Sequence, residues 1–97
     1  MDDAITVAVP GVTVVASASS QRVTVPEDAS GSRARFCQIT TTGAAHVLPG
    51  NSTVTATGDC LMVVADRPVI LATKAFSTIA VIERQTGSVV NIVPLEF

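Results

Sequence analysis

The absence of any sustained 3.6-residue apolar period constrains this chain more than any other feature of its sequence. Short runs rich in Val, Ile and Thr take the place of amphipathic helices, and these β-branched residues favour strands. Turn residues interrupt the runs about every eight to twelve positions, a rhythm typical of sandwiches and barrels. We therefore predict an all-β fold, a single small β-sandwich or jelly-roll-like barrel of about eight strands, with an extended N-terminal arm.

Alternation and turn signals place the individual strands. We predict two hairpins. One pairs residues 33–40 with 44–48 and turns at Thr41–Gly43, and the other pairs residues 78–83 with 88–93 and turns at Arg84–Gly87. Residues 52–56 are a predicted short strand, and the nearly continuous apolar run 60–65 is typical of a strand that is buried on both faces. In the last strand the cleaner apolar set, Val90 and Ile92, is predicted to face inward.

Composition indicates an assembling domain. The 97 residues suffice for one domain, and 47% of them are hydrophobic, with a mean hydropathy of +0.51. Three Phe, no Tyr and no Trp leave a thin core of small aliphatic side chains. Surplus aliphatic surface on a small domain usually contacts a partner, so we expect a homo-oligomer or an assembly subunit. The net charge of −2 and the lack of a basic, aromatic patch argue against a nucleic-acid partner.

The N-terminal segment divides the chain into residues 1–20, an extended arm or edge strand, and residues 21–97, the β-sandwich. No charged residue lies between Asp3 and Arg22 in the sequence. A long apolar, β-prone segment of this kind must be shielded from solvent by pairing or packing, because it otherwise aggregates. Pairing within its own sheet and pairing along a neighbour's sheet edge both provide this shielding. Asp2 and Asp3 stand where a signal peptide carries positive charge, and no apolar run reaches the roughly 18 residues of a transmembrane helix, so no membrane partner is expected. The interface residues predicted in the arm are Ile5, Val7, Val9, Val12 and Val14.

The only histidine, His46, and the only cysteines, Cys37 and Cys60, are the candidate chemical residues. No metal-binding spacing such as CxxC or HExxH joins them, so we predict no metal, cofactor or catalytic site and no enzymatic activity. The thiols are either free and buried or joined in one disulfide. Arg33 and Arg35 are either solubilising rim charges or inter-subunit ion pairs. The interface residues predicted in the domain are His46, Leu48, Arg33 and Arg35.

Five stretches of strand and turn residues lie from about residue 33 onward: "QITTTG", "AHVLPG", "DRPVIL", "TIAVIE" and "GSVVNIVP". In these stretches the chain resembles the small β-sandwich virion proteins of tailed bacteriophages. The chain departs from the family pattern with His46 where an aromatic residue is usual and with Thr41 where Asn is usual. The resemblance implies a structural protein, with a homotrimer favoured, that decorates or cements a capsid, or that occupies the neck or tail, and that is not an enzyme.

These observations together predict a capsid decoration protein on the virion exterior, assembled in the host cytoplasm, that bridges subunits of the major capsid protein or other virion proteins. A head–tail or tail subunit is the alternative within the same class. A small carbohydrate-binding or adhesion module is the alternative from another class, although the missing Trp and Tyr weaken it, because sugars usually stack on aromatic rings.

Overall fold

The computed structural model describes residues 11–27 and 29–95, and this part of the chain contains eight β-strands and no helix. In chain order the strands are β1 (Val12–Val15), β2 (Gln21–Thr24), β3 (Phe36–Thr41), β4 (Ala45–Gly50), β5 (Leu61–Val63), β6 (Val69–Ala72), β7 (Thr78–Glu83) and β8 (Val89–Leu95).

The strands form two four-stranded antiparallel sheets. Sheet 1 has the order β1-β8-β3-β6, and sheet 2 has the order β2-β7-β4-β5. The pairs β1–β8, β2–β7, β3–β6 and β4–β5 are nested, as if one long antiparallel ribbon had been folded at the β4–β5 end and then rolled up. This order is that of a jelly roll. The predicted all-β fold, a small sandwich of about eight strands, is confirmed.

The two predicted hairpins are wrong, because the paired runs lie in different sheets. β3 belongs to sheet 1 and β4 to sheet 2, and β7 and β8 are divided in the same way. The two connections cross the sandwich side by side and bind each other: the Thr42 N–H donates to the Val89 carbonyl (3.0 Å), and the Ala44 N–H donates to Gln85 Oε1 (2.7 Å). Each bend therefore finds its hydrogen-bond partners in the other connection, rather than closing a hairpin of its own.

Small aliphatic side chains fill the space between the sheets. Sheet 1 contributes Ile39, Val90 and Ile92, and sheet 2 contributes Val47, Val63, Ile79 and Val81, all fully buried. The predicted inward orientation of Val90 and Ile92 is confirmed. Both faces of β7 are largely buried, because this strand lies between β2 and β4 at the centre of its sheet.

Residues 51–60, which we call the covering loop, connect β4 to β5 and lie against the outer face of sheet 2. The predicted strand 52–56 is therefore wrong. The Arg22 side chain, on the outer face of β2, donates to the carbonyls of Val54 (2.6 Å) and Thr53 (3.1 Å). The Ala56 N–H donates to Ser20 Oγ (2.9 Å), and the Ala56 side chain is buried. Hydrogen bonds with the side chains of Arg22 and Ser20, rather than a backbone β-ladder, thus hold the covering loop against the sheet.

The apolar run 60–65 forms only the short strand β5, at the edge of sheet 2. Its predicted burial on both faces is wrong for Leu61 and Met62, which are exposed, and holds only for Val63. An edge strand lacks a neighbour on one side, so a continuous apolar sequence there leaves aliphatic surface in contact with solvent.

Candidate interaction surface

His46 is a buried residue on the outer face of β4, only 4% exposed. Its cross-strand neighbours are Met62 and Ile82, and its Nδ1 lies 3.0 Å from the Cys60 carbonyl. A carbonyl only accepts, so Nδ1 carries the proton and donates it, and in the neutral ring Nε2 is then an acceptor. Nε2 is buried and has no hydrogen-bond partner. The covering loop, which begins after β4 and ends at Cys60, accounts for this burial and leaves His46 little surface to offer a partner.

Cys37 and His46 do not share a site. Cys37 is buried on the inner face of sheet 1, whereas His46 lies on the outer face of sheet 2. Cys37 Sγ is 3.4 Å from Thr73 Oγ1, and Thr73 in turn donates to the Ala34 carbonyl (2.9 Å). Burial raises the pKa of the Cys37 thiol, and its hydrogen bond with Thr73 opposes this rise only in part. Both cysteines are free, so of the two thiol states left open by the sequence, the unbonded one is present.

Within residues 11–27 and 29–95, no group of three or more His, Cys, Asp or Glu side chains is arranged to hold a metal ion. An open cavity of about 480 Å³ lies at one end of the sandwich, lined by residues that include Val12, Val25, Glu27 and Arg33. Glu27 and Arg33 also pair through an isolated β-bridge.

Large aliphatic side chains are exposed at three of the four sheet edges. Val15 on β1 is the most exposed at 61%, Ile70 on β6 is exposed at 47%, and Leu61 and Met62 on β5 at 47% and 45%. Leu48 on β4 adds a further exposed residue next to β5. Exposed aliphatic groups that recur on both sheets are the strongest indication of partner contacts in this domain.

The arm residues predicted as an interface fall into two groups. Ile5, Val7 and Val9 lie outside the described residues. Val12 and Val14 lie in β1, where they pair with Ile92 and Val90 of β8 and pack against the core of their own sandwich. For residues 12–15, pairing within the chain's own sheet is therefore what the structure shows, and the sandwich includes residues that precede position 21.

Of the interface residues predicted in the domain, Leu48, Arg33 and Arg35 are exposed. The two arginines precede β3, and they come together with Lys74 at the end of β6. Arg33 Nη1 donates to the Lys74 carbonyl (3.2 Å), and the Thr73 N–H donates to the Arg35 carbonyl (2.8 Å). We call Arg33, Arg35 and Lys74 the basic rim.

The sequence-based prediction missed Val15, Leu61, Met62 and Ile70. Their residue types resemble those of the buried positions around them. Val15 and Ile70 are exposed because they lie on the outer face of sheet 1, whereas Leu61 and Met62 lie on the edge strand β5. For Ile70 the alternation of "VILA" separates it from Val69 and Leu71, but that pattern alone does not say which face is buried.

The described part of the chain holds no helix of the length and apolarity needed to cross a membrane. Comparison of the sequence with protein-family models, with curated proteins and with solved structures gives no match.

Proposed function

We propose that this protein is a capsid decoration, or cement, protein of a virion, a homo-oligomer that bridges subunits of the shell from outside and that catalyses no reaction. The observation that carries the proposal is the distribution of exposed aliphatic side chains over three sheet edges that belong to two different sheets. Contacts with neighbours on several sides would remove these exposed Val, Leu, Met and Ile side chains from water, which is favourable in proportion to the apolar area buried.

The mechanism is multivalent. Each edge contact buries a modest apolar area, and each alone is weak. When one oligomer spans several shell subunits, the second and later contacts form at a high effective concentration, so that the array as a whole resists outward pressure. The sandwich supplies a rigid body for this purpose, because its core is closed by small aliphatic side chains from both sheets.

Binding to capsids that lack the protein tests the proposal. Met62→Glu places a charge in the exposed apolar surface beside Leu48, and Ser52→Glu introduces the same charge at an exposed polar position as a matched control. We expect the wild type and the Ser52 variant to bind and to raise the temperature at which capsids release DNA, and the Met62 variant to bind more weakly. Equal binding by all three would show that this surface does not meet the shell.

Two other outcomes point to the alternative functions. Recovery of the protein from purified particles in the small copy number of a single ring would favour a neck or tail subunit. Specific hits on a glycan array, with no binding to particles, would favour a carbohydrate-binding module, a role that jelly-roll domains also perform.

A further inference from the structure

Among the described residues, strand β6 has a neighbour on one side only and forms an edge of sheet 1. The Thr73 N–H donates to the Arg35 carbonyl (2.8 Å), which marks residues 35 and 73 as a hydrogen-bonded pair. Because such pairs alternate along an antiparallel ladder, the N–H and C=O groups of Ile70 and Ala72 point away from β3. Ile70 is also exposed on the outer face of the sheet. The edge therefore presents two donors, two acceptors and an aliphatic side chain.

Charge distinguishes this edge from the others. Exposed Asp59 precedes β5, and Asp66 and Arg67 together occupy the connection from β5 to β6. Lys74 follows β6, and Arg35 stands beside Lys74 in the basic rim. Neither the Arg35 guanidinium nor the Lys74 ammonium forms an ion pair with a described residue. The covering loop occupies the outer side of sheet 2 next to β2. An acidic, apolar strand is thus attracted to β6 and repelled by β5.

The first nine residues of the chain have the composition of such a strand. Asp2 and Asp3 are followed by alternating apolar residues at Ile5, Val7 and Val9. In an antiparallel addition the acidic start lies next to the C-terminal end of β6, where the basic rim is. With Asp3 opposite Lys74, two aliphatic residues of the segment, Ile5 and Val7, fall opposite Ala72 and Ile70, as favourable cross-strand pairs do.

The chain's own segment cannot reach this position. An added strand next to β6 lies four strand spacings from β1, about 19 Å away. In the register given above, Val9 stands opposite Pro68, and the two residues from Val9 to Gly11 span at most about 7 Å. A tight hairpin onto β1 is also disfavoured, because Pro10 fixes a negative φ and Gly11 is not among the glycines with positive φ. The occupant must come from another copy.

We propose that residues 2–9 of one copy add as an antiparallel strand to the open edge of β6 in the next copy, with Asp2 and Asp3 facing Lys74 and Arg35. This inference deepens the proposed function by naming the contact through which copies associate. The donor segment leaves the sheet beside β1 and the acceptor strand is at the opposite edge, so the interface is head-to-tail. A head-to-tail interface generates a ring if the rotation between copies closes and an open filament if it does not, and in a ring every segment and every β6 edge is used once.

Charge reversal in the full chain tests the pairing through its mass in solution. One variant carries Asp2→Lys and Asp3→Lys, a second carries Arg35→Glu and Lys74→Glu, and a third combines all four changes. We expect the wild type to have a mass at least twice the 9.9 kDa of one chain. Each double reversal weakens association by about tenfold or more, and the combined variant associates again.

The control reverses the acid that precedes β5 with Asp59→Lys, which leaves association unchanged. Circular dichroism establishes that every variant is folded. A monomeric wild type, unaltered association of the reversed variants, or failure of the combined variant to recover would each overturn the inference. Capsid binding is measured separately: a monomer that still binds capsids refutes only the strand exchange, and an oligomer that ignores capsids refutes only the decoration function.

Discussion

Ile39 and Ile70 provide a direct test of which face of sheet 1 is the core. Ile39 lies in β3, paired with Ile92 on one side and with Val69 on the other, and it is fully buried. Ile70 lies on the neighbouring strand of the same sheet, but on the opposite face and exposed. Substitution to alanine removes the same atoms at both positions, so a difference in the free energy of unfolding between the two variants reports the difference in burial.

The magnitude for Ile39→Ala follows from the carbons removed and the space they leave. Three buried carbon groups represent about 2.4 kcal/mol of transfer free energy. The cavity between two packed sheets raises the total loss in the free energy of unfolding to about 3 to 4 kcal/mol, which corresponds to a fall of about 15 to 25 °C in Tm for a domain of this size. Ile39→Val costs about 1 kcal/mol. Ile70→Ala costs about 1 kcal/mol or less, because roughly half of its side chain is already hydrated.

Urea unfolding followed by circular dichroism measures these differences. Each protein is unfolded at two concentrations, because association makes the midpoint depend on concentration and would otherwise add to the apparent effect at Ile70. If the two alanine variants lose equal stability, or if Ile70→Ala loses more, then the assignment of inner and outer faces in sheet 1 is wrong.

Three further predictions address the thiols and the glycines. In the folded protein a thiol reagent modifies the partly exposed Cys60 and spares Cys37 until the domain unfolds, as mass spectrometry of labelled peptides can show; equal labelling rates would contradict the burial of Cys37. Burial raises the pKa of Cys37 above its usual value of 9.0, so the folded state holds this proton more tightly than the unfolded chain does. The free energy of unfolding is therefore retained below about pH 9 and falls as the pH rises beyond it. In urea titrations between neutral and alkaline pH, Cys37→Ala makes this fall shallower and Cys60→Ala, the control, does not; an unchanged slope for Cys37→Ala would contradict the linkage. Gly11→Ala places a Cβ 1.9 Å from the Ile92 carbonyl oxygen and so costs about 2 kcal/mol or more, whereas Gly58→Ala meets no atom within 4 Å and is nearly neutral; similar midpoints for the two variants would mean that β1 does not approach β8 as described.

The positions of most strands could be predicted from sequence because they depend on local properties. The alternation in "TIAVIE" and "SVVNIV" and the β-branched residues of "RARFCQIT" identify strands wherever the neighbours lie. The assignment of strands to sheets depends on distant partners instead. The sequence of the bend at Thr42–Gly43 is compatible with a hairpin and with a crossing to the other sheet. The crossing is stabilised by hydrogen bonds between this connection and Val89 and Gln85, which are distant in sequence.

The surface was harder to predict than the core for a related reason. "STVTA" has the composition of a strand, but the carbonyls of Thr53 and Val54 are bound by Arg22, which lies 31 and 32 positions earlier in the chain. Likewise, His46 is buried only because the covering loop returns over it to Cys60. Neither relation leaves a local pattern, so the sequence predicted a strand at 52–56 and a surface contact at His46.

The nested order of the strands has a consequence for how the protein is made. Val12 pairs with Ile92, so the first of the described strands to leave the ribosome must wait for the last of them. Eighty residues separate these partners, and at about 5 to 20 residues per second the delay is about 4 to 16 s. During that interval β1 and β2 are unpaired, and only β4 and β5 have a partner close in the chain. The aliphatic N-terminal strand is therefore exposed during synthesis, when many copies translated together are near enough to aggregate or to meet their future neighbours.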